Sequence, residues 1–222
     1  MILKTFEEQI AINYPKAYPK LKKYTELIEE HNLSMNLTGF TSDILWKDGI
    51  YESIKFLEKI DIQKDDDWVD IGSGAGFPCV PFLICHPELK LTILEPMLKR
   101  VKFLKEVAKT LELNIKVHSL RAEEFVHKDS FNIITARAVT SLKNLILSTY
   151  HLGKNDARFC FVKGQNVNKE ITEAKKAIDF LKLKISQKQL SETEKNLNII
   201  CYQKTLKTPN DFPWMWSKIL KY

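Results

Sequence analysis

The chain has 222 residues, 44% of them hydrophobic, enough for one sizeable domain with an appendage or two small ones. Its net charge of +6 points to a polyanionic partner. No apolar run approaches the roughly 20 residues that cross a bilayer, and the start, Met1 to Gln9, is too acidic for a signal peptide. A cytoplasmic chain with no membrane contact is therefore expected. The cysteines (Cys79, Cys85, Cys160, Cys201) form no C-x-x-C pair and no His/Cys cluster. They read as reduced thiols of a cytosolic protein with no metal site.

In chain order, residues 5 to about 59 read as helical. Leu21, Tyr24, Leu27 and Ile28 recur at helical spacing, with Lys20, Lys22, Lys23, Glu26, Glu29 and Glu30 on other faces. A break is expected over 31–39, with Ser42 or Asp43 capping the next helix toward Leu57. This gives an N-terminal helical region, 1–62, and a second unit, 63–222. The basic Lys16, Lys20, Lys22 and Lys23 and the loop around Asn36 are expected to line one side of the site.

After the polar run 63–67 the pattern alternates. Strands are expected at 68–71, 91–94, 115–118, 131–136, 158–162, 183–186 and 198–203. Helices are expected at 80–85, 99–111, 142–150 and 169–181. Short buried apolar strands alternating with helices predict an α/β fold with a doubly wound, mostly parallel sheet. No helix separates the last two strands, which fits an antiparallel hairpin. The Lys-rich second half is interleaved with acids and reads as a solvated helix face.

The chemistry gathers at strand ends. Asp70-Ile71-Gly72-Ser73-Gly74-Ala75-Gly76-Phe77-Pro78 is an apolar strand ending in an acid and three alternating glycines. Glycine permits φ > 0 and a close ligand approach. The spacing is G-x-G-x-G rather than G-x-G-x-x-G, so it suits a ligand without phosphate, such as S-adenosylmethionine. Glu95 ends the second strand about 20 residues on, where an acceptor for ribose hydroxyls belongs. Its other reading is a first-turn acid of the following helix. Ala122 and Glu123, after the third strand, can lay an adenine against backbone. Arg137 ends the fourth strand, its head expected at the mouth of the site; as a strand-end surface charge it would matter little for stability. Lys163-Gly164 ends the fifth, either poised over the same edge or forming a simple turn.

These segments, with Leu94-Glu95, Lys99 to Leu104, Arg121 to Glu124, Ala136-Arg137-Ala138 and, upstream, Asn36-Leu37-Thr38, fall in order. The set resembles the bacterial 16S ribosomal RNA guanine-N7 methyltransferase family, also called glucose-inhibited division protein B, over roughly residues 32–164. The resemblance implies a class I (Rossmann-like) methyltransferase domain over 63–222, with S-adenosylmethionine as donor. The implied acceptor is a guanine in a decoding-region hairpin loop of 16S rRNA, free or in the small ribosomal subunit. It places Asp70, Gly72, Gly74, Phe77, Glu95, Ala122, Glu123 and Arg137 at the cofactor. Arg137 and Lys163 are expected at the reacting centre, and Asn36 and Lys163 at the substrate. A monomer is expected. The chain departs from the family at Gly49-Ile50-Tyr51-Glu52-Ser53, where many members have His before Asp-Ser. It departs again at the C-terminus, where Trp214 and Trp216 stand in place of a Pro- and Arg-rich tail. Packing over the sheet is the expected role of these tryptophans, base stacking the alternative.

Guanine N7 carries a lone pair and no proton, so no general base is needed, and the chain shows no base or nucleophile constellation. Orientation should dominate catalysis. The competing readings are a methyltransferase of another RNA base or a small molecule, and an RNA-binding module with a vestigial cofactor pocket. A nicotinamide-dependent oxidoreductase would need the longer glycine fingerprint, which is missing.

Overall fold

Side-chain alternation along seven short strands sets the architecture of the computed structural model, which describes residues 5–190 and 197–222. The strands are β1 (Trp68–Ile71), β2 (Leu91–Leu94), β3 (Ile115–His118), β4 (Phe131–Arg137), β5 (Gly153–Lys163), β6 (Ser186–Gln189) and β7 (Asn198–Gln203). They order as β3-β2-β1-β4-β5-β7-β6. The first five are parallel, and β7 runs antiparallel between β5 and β6. The chain steps outward from β1 to β3, then returns to place β4 against β1. That reversal is the switch point at which open α/β sheets bind ligands.

Period-two alternation sends Trp68, Ile133, Cys160 and Val162 to one face and Val69, Ile134, Phe159 and Phe161 to the other. The first face is covered by α1 (Phe6–Asn13), α2 (Tyr18–Met35), α3 (Ser42–Ile44), a π-helical stretch (Leu45–Tyr51), α4 (Glu52–Glu58), α5 (Cys79–Cys85) and α6 (Leu98–Thr110). The second carries α7 (Leu142–Thr149), α8 (Val167–Glu173), α9 (Lys175–Phe180) and α10 (Trp216–Lys221).

Most boundaries fall where the sequence pattern puts them, with four informative differences. Helix α2 runs through His31 and breaks only at Asn36, which turns left-handed at φ 51; asparagine tolerates that conformation better than most residues. Thr41, not Ser42 or Asp43, occupies the N-cap of α3, without a side-chain cap bond. The helix expected over 169–181 is two helices meeting at Ala174. The final hairpin is present, but β6 starts at Ser186, because Leu183 is buried against the helical layer instead.

Helix α6 begins at the carboxyl edge of β2 and descends 13 residues, about 20 Å, to the opposite edge. Lys20 Nζ donates to the carbonyl of Leu111 there, and Lys23 pairs with Glu26. Lys20, expected to flank the site, is therefore engaged at the end of α6 remote from the carboxyl edge of the sheet. Helix α2 reaches the switch point through the Tyr24 side chain.

His151 is fully buried between α7 and β5. Its Nε2 donates to the Phe125 carbonyl at 2.9 Å, and Nδ1 has no partner among the described residues. Burial pushes its pKa down to about 4. The unfolded chain binds a proton near pH 6.5 that the fold rejects, so this residue's contribution to stability is lost as pH falls from about 6.5 toward 4. Wild type should lose up to about 3 kcal/mol relative to His151→Gln across that window in urea unfolding. A stability difference independent of pH would refute this.

Candidate active site

The glycine turn is built by what surrounds it. Gly72 follows β1 at φ +64, and a Cβ there would stand 3.0 Å from a Val139 methyl. At Gly76, φ +108, a Cβ would lie 2.6 Å from the Tyr24 hydroxyl. Neither position accepts a side chain without displacing its neighbour. Tyr24 itself donates to the Ala75 carbonyl at 2.6 Å, tying α2 to the turn.

Asp70 braces the turn from within the sheet. Its carboxylate accepts from Ser73 Oγ and Thr135 Oγ1, both at 2.6 Å, and Thr135 in turn accepts from Trp68 Nε1 at 2.9 Å. Burial pushes its pKa up to about 7 against those two hydrogen bonds. Glu95 holds the turn from the other side. One oxygen accepts from Gly74 N at 3.0 Å, the other from Met97 N at 2.9 Å at the start of α6. Each carboxylate oxygen has two lone pairs, so two remain for a ligand.

At the carboxyl edge of β1, β2 and β3 lies a cavity of about 390 Å³, walled by Gly72, Glu95, Arg100, Ala122, Glu123 and Trp216. That volume falls within the range of small-molecule sites. Burial raises the pKa of the Glu123 carboxyl, and its Oε1 has no partner among the described residues. Across Ala138, Val139 and Thr140, which line both spaces, a second cavity of about 460 Å³ lies over β4 and β5. Phe40, Arg137, Lys163 and Glu170 form its walls. Ala138 holds the strained turn between the two at φ 56.

Arg137 is not the exposed strand-end charge expected. Its Nη2 donates to Glu52 Oε2 at 2.7 Å and its Nη1 to Ser53 Oγ at 3.3 Å. The two side chains of this ion pair are 12% and 1% exposed. Burial lowers the Arg137 pKa, and the neighbouring Glu52 and Asp48 charges oppose that. The guanidinium also lies 5.8 Å from the ring centre of Phe40, within cation–π range. The π-helical stretch carries Asp48 and leads into Glu52, the first residue of α4, at this point. It packs so close to the glycine turn that a Cβ on Gly49 would meet Phe77 at 2.9 Å. Lys163 is likewise buried, pairing with Glu170 at 2.8 Å and donating to the Thr140 carbonyl.

Of the residues expected at the cofactor, Gly72, Glu95, Ala122 and Glu123 line the first cavity, and Arg137 lines the second. Asp70, Gly74 and Phe77 line neither. Asp70 and Gly74 shape the turn, while Phe77 packs beneath it against Tyr24 and Phe40. Asn36 is exposed and serves as the left-handed end of α2; Asn32 is the residue that clasps the loop, bonding both the N–H and the carbonyl of Thr38. Sequence reasoning missed Phe40, Arg100, Val139, Glu170 and Trp216 as lining residues. Arg100 had a usable signal, a cation in the first turns of the helix that follows Glu95. Trp214 packs as expected, but Trp216 reaches the first cavity.

Known proteins resemble this chain in sequence and in fold. The family model described as rRNA small subunit methyltransferase G (GidB) matches residues 17–200. The ribosomal RNA small subunit methyltransferase G of Mycoplasmopsis pulmonis is 42% identical over 220 residues, covering 96% of each chain. That of Brevibacillus brevis is 36% identical over 199 residues, 86% of this chain and 84% of its own. Among solved structures, a SAM-dependent methyltransferase from Aquifex aeolicus superposes with a TM-score of 0.57 at 12% identity, over 70% of this chain and 91% of that one. A SAM-dependent O-methyltransferase from Thermotoga maritima gives 0.55 at 17% identity, over 83% and 73%. The structures share the fold, and the sequence matches span nearly the whole length: the chain belongs to the rRNA small subunit methyltransferase G family.

Proposed function

We propose that the two adjoining cavities are the donor and acceptor halves of one site, which methylates guanine N7 in 16S ribosomal RNA. As a member of its family the chain is an S-adenosylmethionine-dependent methyltransferase of small-subunit rRNA. The carrying observation is that the cavities meet along Ala138–Thr140, the first built from the glycine turn and Glu95, the second from Phe40, Arg137 and Lys163.

The first cavity fits the donor. Gly72 clears space that a Cβ would fill, and Glu95 retains lone pairs for the ribose diol. Ala122 and Glu123 border the position for adenine. Bound there, S-adenosylmethionine supplies an electrophilic methyl group on a sulfonium. The protein's part is to orient the acceptor, because guanine N7 offers its lone pair without deprotonation. Guanine O6 and N7 are neighbouring acceptors on one edge. A guanidinium or ammonium at O6 therefore fixes where N7 points. Arg137 and Lys163 are braced for this by Glu52 and Glu170. Phe40 offers a ring face to a base splayed from its loop.

S-adenosylhomocysteine should raise the melting temperature and NAD should not, since a ligand that binds only the folded state stabilises it. With S-adenosylmethionine, the enzyme should create one borohydride–aniline-cleavable guanine in 16S rRNA or small subunits from a deletion strain. Stabilisation by NAD, or absence of any cleavable guanine, would overturn the assignment.

A further inference from the structure

Trp216 is brought to the first cavity from the far end of the chain, and it is held there by a scaffold of its own. In α10, Ile219 is fully buried. Trp214 Nε1 donates to Asp211 at 2.7 Å. Lys218 reaches the same carboxylate at 2.8 Å while lying 4.0 Å over the Trp214 ring. Tyr222 packs on Trp214 at 5.0 Å. The helix backs onto α7, whose Leu145 and Ser148 also line the cavity. The indole of Trp216 stands next to Arg121, whose guanidinium lies 5.4 Å from its ring centre. Both side chains line the cavity beside Ala122 and Glu123, after β3 and on the side away from Phe40 and Arg137.

We infer that Trp216, steadied by Arg121, is the aromatic wall on which the adenine of the methyl donor packs, so that the C-terminal helix sets donor affinity. This rests on the first cavity being the donor site. A flat, apolar, partly exposed ring at the β3 end of a cavity suits a purine. Its separation from the second cavity points to the donor's base rather than the acceptor's.

The remaining tryptophans, Trp46, Trp68 and Trp214, are at most 8% exposed and line neither cavity, so the part of a ligand-dependent change in indole fluorescence that Trp216→Phe removes reports on Trp216. In the full-length protein, titration with S-adenosylhomocysteine should quench that fluorescence, and Trp216→Phe should abolish the quench while keeping calorimetric affinity within about threefold. Trp216→Ala should weaken binding about tenfold or more, within the range measured for base–aromatic stacking. Arg121→Gln, which leaves the indole in place, should weaken it severalfold, with far-UV circular dichroism unchanged in all three. The inference is overturned if Trp216→Phe retains the full quench. It is also overturned if Trp216→Ala, still folded, binds the ligand as wild type does, including the case in which only its KM for RNA rises. Failure of wild type to bind S-adenosylhomocysteine at all would instead overturn the reading of the cavity as the donor site.

Discussion

Arg137→Met should both abolish methylation and lower the melting temperature on the order of 10 °C. The stability loss follows from Glu52, whose carboxylate is 1% exposed and would be left without the guanidinium. Breaking a buried pair from one side costs roughly 3–5 kcal/mol. For a chain of this length each kcal/mol moves the melting temperature by about 2–4 °C. Replacing both partners by uncharged groups is far less costly. Glu52→Leu with Arg137→Met should therefore recover much of the stability, though not all, because Asp48 also faces the guanidinium electrostatically. Methylation should stay lost in the double variant if Arg137 contacts the acceptor base. Recovery of both together would show that Arg137 serves the fold alone. Arg137→Lys should fall between, since an ammonium keeps the charge but not the planar fork that bonds Glu52 and Ser53 at once.

That stability loss is opposite to what the sequence alone implies for Arg137, and the reason is physical. An arginine after an apolar strand looks exposed unless its partner is known, and Glu52 lies 85 residues away on a helix of another layer. The pairing depends on the π-helical stretch Leu45–Tyr51, which no hydrophobic periodicity announces. What is legible is local. β1 and β2 match their expected bounds because short parallel strands buried on both faces leave mostly apolar runs, and β3, at the sheet edge, because Ile115 and Val117 alternate with the exposed Lys116 and His118. The glycine turn is legible because positive φ selects a residue type, and Glu95 because its distance from the turn is set by one β–α–β step. Trp216 is not legible for the same reason as Glu52. Its place beside Arg121 is a long-range contact made by a six-residue helix, and the local pattern says only that two aromatics pack somewhere. Lys20 looked like part of a basic face until the antiparallel course of α2 and α6 carried it to Leu111.

Glu95 should separate binding from folding in the same way. The sequence offers two readings, a ribose acceptor or a helix brace, and the structure already shows the brace. Its oxygens satisfy the N–H groups of Gly74 and Met97 at 3.0 and 2.9 Å. Glu95→Ala removes both acceptors from a site that is 1% exposed, at a cost of about 1–3 kcal/mol in stability. If the same carboxylate also accepts the donor's ribose hydroxyls, charge-assisted bonds worth about 1.5–3 kcal/mol vanish too. The Kd for S-adenosylhomocysteine should then rise by about one to two orders of magnitude. Glu95→Gln is the sharper variant. Its amide oxygen can still accept from one backbone N–H, but its NH2 group accepts from nothing, so the second backbone bond is lost and the ribose diol no longer meets two charged acceptors. Calorimetry should find Glu95→Gln nearly as weak a binder as Glu95→Ala, while its melting temperature lies closer to wild type. A Gln variant that melts early yet binds with wild-type affinity would leave Glu95 as a brace between the glycine turn and α6, with the ribose held by another group.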